Sequence, residues 1–182
     1  MALTETPICN FGEKARDFKL IGIDGKIHKL EDFKGENGTL IMFICNHCPY
    51  VKAVIKDIVE DTNFLTKKGI KSVAIMSNNT KKYPEDSFEN MIKFSKNNSF
   101  SFPYLYDEKQ TVAKDFGAVC TPDFFGYNNK LELQYRGRIK ELKNLKAVNS
   151  SESDLKNAMT KIASSGKGPE VQFPSMGCNI KW

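Results

Sequence analysis

The sequence predicts an α/β fold: a mixed central β-sheet flanked by helices and preceded by a β-hairpin. Three observations carry this. Two apolar runs of strand length, residues 39–45 (TLIMFIC) and 71–76 (KSVAIM), are each followed by a stretch whose apolar residues recur at helical spacing. Strands alternating with helices pair in parallel, because each helix returns the chain to the same end of the sheet. Further on, residues 123–127 and 131–135 are separated only by Asn128-Asn129-Lys130, which reads as an antiparallel hairpin and makes the sheet mixed.

The elements follow in order. Residues 17–30 (DFKLIGIDGKIHKL) are two alternating apolar runs hinged on Asp24-Gly25, a dipeptide that tolerates the positive φ of tight hairpins. Residues 39–45 are almost continuously apolar, as a strand covered on both faces must be. Beyond them Val51, Val54, Ile55, Ile58 and Val59 keep helical spacing as far as Asp61 to Asn63, so Cys45-Asn46-His47-Cys48 falls where a strand hands over to a helix. After the second strand, residues 84–96 read as one helix begun by Pro84, with Phe88, Met91, Ile92 and Phe94 on or near its apolar side. A last amphipathic helix covers residues 151–163, with Ser151 or Ser153 as N-cap and Gly166 as its stop. Residues 166–182, broken by Pro169, Pro174 and Gly177, read as an irregular tail. With no internal repeat and no linker, the 182 residues read as a single domain, 1–182, long enough to bury a core.

Composition excludes several classes. The excess of 27 Lys and Arg over 22 Asp and Glu is scattered (Lys67, Lys68, Lys71, Lys81, Lys82) and forms no basic stripe with interleaved aromatics, so no nucleic-acid partner is expected. No segment approaches the roughly 18 apolar residues of a membrane span, and the N-terminal residues lack a basic start followed by an apolar stretch. A cytoplasmic location is expected. There, an odd set of five cysteines containing one C-x-x-C argues for redox or metal chemistry over a disulfide framework. A structural zinc site wants a second pair, and Cys9, Cys120, Cys178 and His28 stand apart; no metal and no other cofactor is expected.

The C-x-x-C therefore carries the chemistry. A thiolate is the nucleophile in disulfide exchange, and a helix N-terminus favours negative charge through its unpaired N–H groups and dipole. With the helix starting at the motif, Cys45 is expected to have its pKa brought down, helped by His47 when protonated, into a range of about 3.5 to 7.5. Cys48, three residues on, is placed to resolve the mixed disulfide, and Pro49 fits the first helical turn.

At these residues the sequence resembles the thioredoxin superfamily, and within it the redoxin-like proteins of the alkyl hydroperoxide reductase and thiol-specific antioxidant branch. DFKLIGIDGKIHKLEDFKG resembles that branch's opening hairpin, FICNHCPYVKA its redox turn, and GAVCTPDFFGY the loop with the superfamily's cis-proline. The resemblance implies a thioredoxin-like fold, with Thr121-Pro122 cis and lying against Cys45. It also implies an exposed Thr121 backbone that pairs with a substrate chain. Cys120 precedes this loop, and PSMGCNIKW resembles the closing segment of some redoxin-like sequences, which makes Cys120 and Cys178 possible accessory thiols. Phe124, Phe125 and Tyr127 read either as groove or as core. The chain departs from thioredoxins in holding Ile44 before the first cysteine and Thr39 in place of a buried acid. It departs from peroxiredoxins in placing Cys45 where they have Thr or Ser, and Ile41 where they have proline; Arg136 and Arg138 are the candidates for their arginine.

The expected function is thiol-disulfide oxidoreduction through Cys45, Cys48 and His47, acting on a disulfide-containing protein or a small thiol or peroxide substrate, with a thiol reductant to be identified. His47 is expected to make the pair more oxidising than thioredoxin. An alternative is a thiol peroxidase with Cys48 as peroxidatic residue. A third reading is a Cu(I) chaperone of thioredoxin fold, although those proteins use a wider cysteine spacing and a downstream histidine, and none follows His47.

Overall fold

The computed structural model describes residues 3–148 and 152–182. The chain opens with a short strand, β1 (Leu3–Glu5), and then forms the anticipated hairpin as β2 (Lys19–Gly22) and β3 (Ile27–Lys29), with Gly25 at φ +75° in the turn. A 3-10 turn (Leu30–Phe33) leads into β4 (Gly38–Phe43), buried at every position. Its side chains alternate between two cores. Leu40 and Met42 pack with Val51, Val54 and Ile58 on one face, while Ile41 and Phe43 pack with Phe18, Phe33, Val112 and Phe116 on the other. Each such side chain contributes roughly 1.5–3 kcal/mol on burial, so the sheet centre is fixed tightly and the residues following β4 inherit that position.

Helix α1 (Pro49–Thr66) and strand β5 (Ile70–Met76) follow. The single helix expected over residues 84–96 is divided: a 3-10 turn (Pro84–Asp86) ends at Ser87, whose ψ of 156° breaks the helical path, and α2 (Phe88–Asn97) starts afresh with the Ser87 hydroxyl accepting from the Asn90 N–H. The side-chain cap competes successfully with helix continuation. The chain continues through β6 (Tyr104–Tyr106), α3 (Thr111–Phe116), β7 (Cys120–Thr121), β8 (Asp123–Tyr127) and β9 (Leu133–Arg136). Leu131 stays outside β9, at φ +56°. A two-stranded ladder, β10 (Leu142–Lys143) with β11 (Lys146–Ala147), precedes α4 (Asp154–Ser165). Ser153 caps α4 and Gly166 ends it, whereas Ser151, the other candidate cap, lies outside the described residues.

The main sheet has seven strands in the order β3-β2-β6-β5-β4-β8-β9, with β4–β5 and β5–β6 parallel and the remaining pairs antiparallel. This is the mixed thioredoxin-like sheet that was expected. The irregular tail is corrected: within residues 166–182 lies β12 (Met176–Asn179), the middle strand of a second sheet ordered β1-β12-β7. Phe124, Phe125 and Tyr127 are core. No helix among the described residues is long and apolar enough to cross a membrane.

Candidate active site

β4 ends at Phe43, Ile44 continues its hydrogen-bonding direction by donating to the Ile75 carbonyl, and the C-x-x-C follows at once. Helix α1 begins only after the motif, with Pro49 at its first position and Cys48 as N-cap. The expectation that Cys45 occupies the helix N-terminus is therefore corrected, because proline at the first helical position places the cap one residue before it. Both sulfurs are buried, Cys45 being 1% and Cys48 0% exposed. All the cysteines are thiols.

A buried carboxylate organises the turn. Asp86, fully buried at the end of its 3-10 turn, accepts hydrogen bonds from the backbone N–H groups of Asn46 (2.8 Å) and His47 (3.3 Å). It also accepts from His47 Nδ1 (2.7 Å) and from the Asn78 amide (2.8 Å). The Asn46 side chain is held in turn by the Tyr104 hydroxyl at 3.0 Å and the Glu85 carbonyl at 3.1 Å. The His47 ring stacks on Tyr83, centroids 5.6 Å apart and planes 5° from parallel. Reading residues 84–96 as one helix hid Asp86 from the sequence-based site; the signal that could have found it is Ser87, a favoured N-cap residue directly before the apolar run from Phe88.

The charges are distributed opposite to expectation. The Cys45 thiol is pushed well up, first because it donates a hydrogen bond to Cys48, then through burial and the nearby Asp86 carboxylate. His47 Nδ1 lies 3.9 Å from Cys45 Sγ but faces Asp86 more closely, so its influence on the thiol is opposed by the carboxylate. Cys48 is brought down to about 5, chiefly by the hydrogen bond from Cys45, with further help from the N–H groups of Cys178 and Val51 and from the Cys178 thiol, against the opposing effect of burial. The Val51 N–H biases the charge without closing a capping hydrogen bond. One acceptor works the other way: the Thr121 carbonyl lies 3.1 Å from Cys48 Sγ, and a protonated Cys48 donates to it. The balance of these influences favours a thiolate on Cys48 over one on Cys45.

The Thr121-Pro122 peptide is cis, and the Thr121 hydroxyl lies 3.4 Å from Cys45 Sγ, as the resemblance implied. The exposed Thr121 backbone is corrected. Thr121 is 3% exposed and its strand edge is taken by β12, in which Cys178 stands opposite it. Cys178 thus joins the motif, while the Cys120 thiol faces the Pro122 carbonyl at 3.7 Å, where burial and Asp123 drive its pKa far up. Cys9 lies elsewhere, near Gln172 and Arg136. Neither candidate arginine is left for the thiols: Arg136 pairs with Asp123 (3.0 Å) and Arg138 with Asp154 (2.7 Å).

Cys45, His47 and Asp86 offer donor atoms within 4.8 Å of one another. A cation could enter only by displacing the proton that His47 Nδ1 shares with Asp86. The set is already satisfied by hydrogen bonds.

A thioredoxin-like sheet that delivers a buried thiol pair to the start of a helix, opposite a cis-proline, defines a redoxin-like protein of the oxidoreductase kind. A family model described as the AhpC/TSA family matches residues 11–142, and the chain belongs to that family. Similar solved structures include an uncharacterized conserved protein from Geobacillus kaustophilus, 41% identical, with a TM-score of 0.94 over 100% of this chain and 97% of that one. Another is a hypothetical protein from Sinorhizobium meliloti, 34% identical, with a TM-score of 0.89 over 98% and 97%. The thioredoxin domain of a thiol-disulfide oxidoreductase from Bacteroides vulgatus shares the fold at 17% identity, with a TM-score of 0.59 over 74% and 89%. A comparison with curated proteins finds no match.

Proposed function

We propose that the chain is a dithiol–disulfide oxidoreductase in which Cys48 attacks and Cys45 resolves. What supports this is the place of Cys48 as N-cap of α1, with its pKa drawn down to about 5 chiefly by the hydrogen bond from Cys45, whose own thiol is raised by that bond, by burial and by Asp86. The Cys48 thiolate attacks one sulfur of a substrate disulfide and expels the other as a thiolate. Cys45 then attacks Cys48 Sγ, its proton passing to the second departing thiolate. Cys45–Cys48 is left oxidised and the substrate gains two electrons. A thiol reductant returns the pair to the dithiol, and in a reducing compartment such as the cytoplasm the reduced form would await the next substrate.

Access requires movement, since neither sulfur is exposed. A cavity of about 110 Å³ beside Pro122, lined by Tyr50, Val54, Ile139, Leu142 and Met176 with Arg138 and Lys140 at its side, offers room for a side chain at the cis-proline. This suits a substrate that presents side chains around its disulfide, which favours a protein over a small thiol.

Equilibration of the reduced chain with glutathione buffers, followed by alkylation and mass spectrometry, tests the reading. A reversible couple between Cys45 and Cys48 is expected. If Cys45 stays alkylatable at every ratio, the dithiol reading is lost. Hydrogen peroxide consumption that needs Cys48 and not Cys45 would replace it with the peroxidase reading, against which the engagement of Arg136 and Arg138 already weighs.

A further inference from the structure

We propose that Cys178 is a third redox thiol, and that Cys48 exchanges its disulfide between Cys45 and Cys178. This rests on the dithiol reading and extends it to the tail strand.

The geometry begins with Thr121. Its hydroxyl meets Cys45 Sγ at 3.4 Å, its carbonyl meets Cys48 Sγ at 3.1 Å, and its partner across the antiparallel β7–β12 pair is Cys178. One residue thus touches two of the sulfurs and pairs with the residue that carries the third. The thiol and the backbone of Cys178 lie close enough to the Cys48 sulfur to favour its thiolate, and Cys48 Sγ meets the carbonyl of the residue that Cys178 pairs with. Cys178 is 4% exposed and packs in the same core cluster as Cys45 and Cys48. Gly177 lets the strand approach this closely: a Cβ there would stand 2.0 Å from the Thr121 carbonyl oxygen. Neither Cys120, which faces the Pro122 carbonyl, nor Cys9, which lies by Gln172, makes a corresponding hydrogen bond to Cys48.

The exchange balances without an outside reagent. Starting from the Cys45–Cys48 disulfide, Cys178 Sγ attacks Cys48 Sγ; the bond to Cys45 breaks, the bond to Cys178 forms, and the Cys178 proton goes to the departing Cys45 thiolate. No electron enters or leaves. Burial and the Asp86 carboxylate, which act on Cys45 whether or not Cys48 is bonded to Cys178, favour its keeping that proton. The product ties β12 covalently to the head of α1, across the cis-proline edge. A partner approaching that edge then meets a fastened strand, whereas the Cys45–Cys48 form leaves the strand held by hydrogen bonds alone.

The test uses the full chain carrying Cys45→Ser, with Cys45→Ala as a second variant, equilibrated with oxidised glutathione. Trypsin leaves Cys45 and Cys48 together on the peptide between Lys34 and Lys52, and Cys178 on the peptide between Lys167 and Lys181, so the two linkages are distinguished directly. The expected result is the loss of two alkylatable thiols per variant chain, with a Cys48–Cys178 cross-linked peptide. Glutathione retained on Cys48, with Cys178 still alkylatable in both variants, overturns the proposal. Should both variants lose their fold by circular dichroism, the oxidised unmodified chain decides: a Cys48–Cys178 peptide supports the exchange, and a Cys45–Cys48 linkage alone at every time point refutes it. A chain that forms only the Cys48–Cys178 bond would keep Cys178 as a redox thiol and remove Cys45 as the resolving one.

Discussion

His47 Nδ1 donates a 2.7 Å hydrogen bond to Asp86 Oδ2, joining residues 39 positions apart at the edge of the thiol pair. Through this bond the histidine is turned toward a carboxylate, and the influence that falls on Cys45 is the negative one. Replacing Asp86 with Asn keeps the shape and removes that charge. The pH at which Cys45 becomes alkylatable is expected to move down. Asp86→Ala instead strands the Asn46 and His47 N–H groups in a buried turn, at about 1–3 kcal/mol for each unsatisfied donor, which a denaturant titration would read as a lower midpoint.

The acidity of Cys48 links stability to pH. Its folded pKa of about 5 lies below the unfolded value of about 8.5, so its stabilisation is full above the unfolded value and is lost as pH falls through the folded one. Cys45, raised in the fold, acts in the reverse sense: its contribution is present below its unfolded value and lost as pH rises beyond it. Between about pH 5 and about pH 8 the Cys48 effect therefore governs this pair. Relative to Cys48→Ser, the reduced chain should gain in urea midpoint across that interval, and thiolate absorbance in the ultraviolet should rise near the lower end. Parallel midpoints for the two proteins would refute the linkage.

A stabilised thiolate favours the reduced form of a dithiol couple, so the Cys45–Cys48 potential should lie above the roughly −270 mV of thioredoxin. The direction agrees with the expectation built on His47, but the cause is the set of donors on Cys48. A potential at or below thioredoxin's, measured against glutathione, would show that the donors stabilise the disulfide equally.

Gly177→Ala places a methyl group 2.0 Å from the Thr121 carbonyl oxygen. Overpacking of this kind costs about 1–3 kcal/mol, and each 1.4 kcal/mol is about tenfold in the population of an undocked strand. Alkylation of Cys48 should accelerate by about fivefold or more, while α1 and the main sheet keep their circular dichroism. An unchanged alkylation rate would mean that β12 does not gate the thiol.

Much of this was legible in the sequence because the signals are local. Asp24-Gly25 marked the hairpin, residues 39–45 the central strand, and the run from Val51 to Val59 the helix after the thiols. The cis-proline partner of Cys45 came from the resemblance. What stayed hidden depends on pairing at long range. β12 has four residues, one of them Gly177, and takes its definition from partners near both the start and the middle of the chain, so no periodicity betrays it. Asp86 lay within an apparently continuous helical pattern that Ser87 interrupts by its cap. The place of Cys48 as cap was readable from Pro49, which fits the first helical position, whereas a helix beginning at Cys45 sets the start one turn too early.

β12 lies between β1 and β7, with Leu3 opposite Cys178 on one side and Thr121 on the other. An edge strand can be peeled away one bond at a time, whereas a strand in the middle has to leave two ladders together. The lock over the thiols is thus a zip with two rows of teeth, and the outer row is supplied by residues far from the reactive sulfurs in sequence. A change as remote as Thr4→Pro, which removes an N–H from that outer row, would loosen the closure without touching any atom that takes part in the exchange.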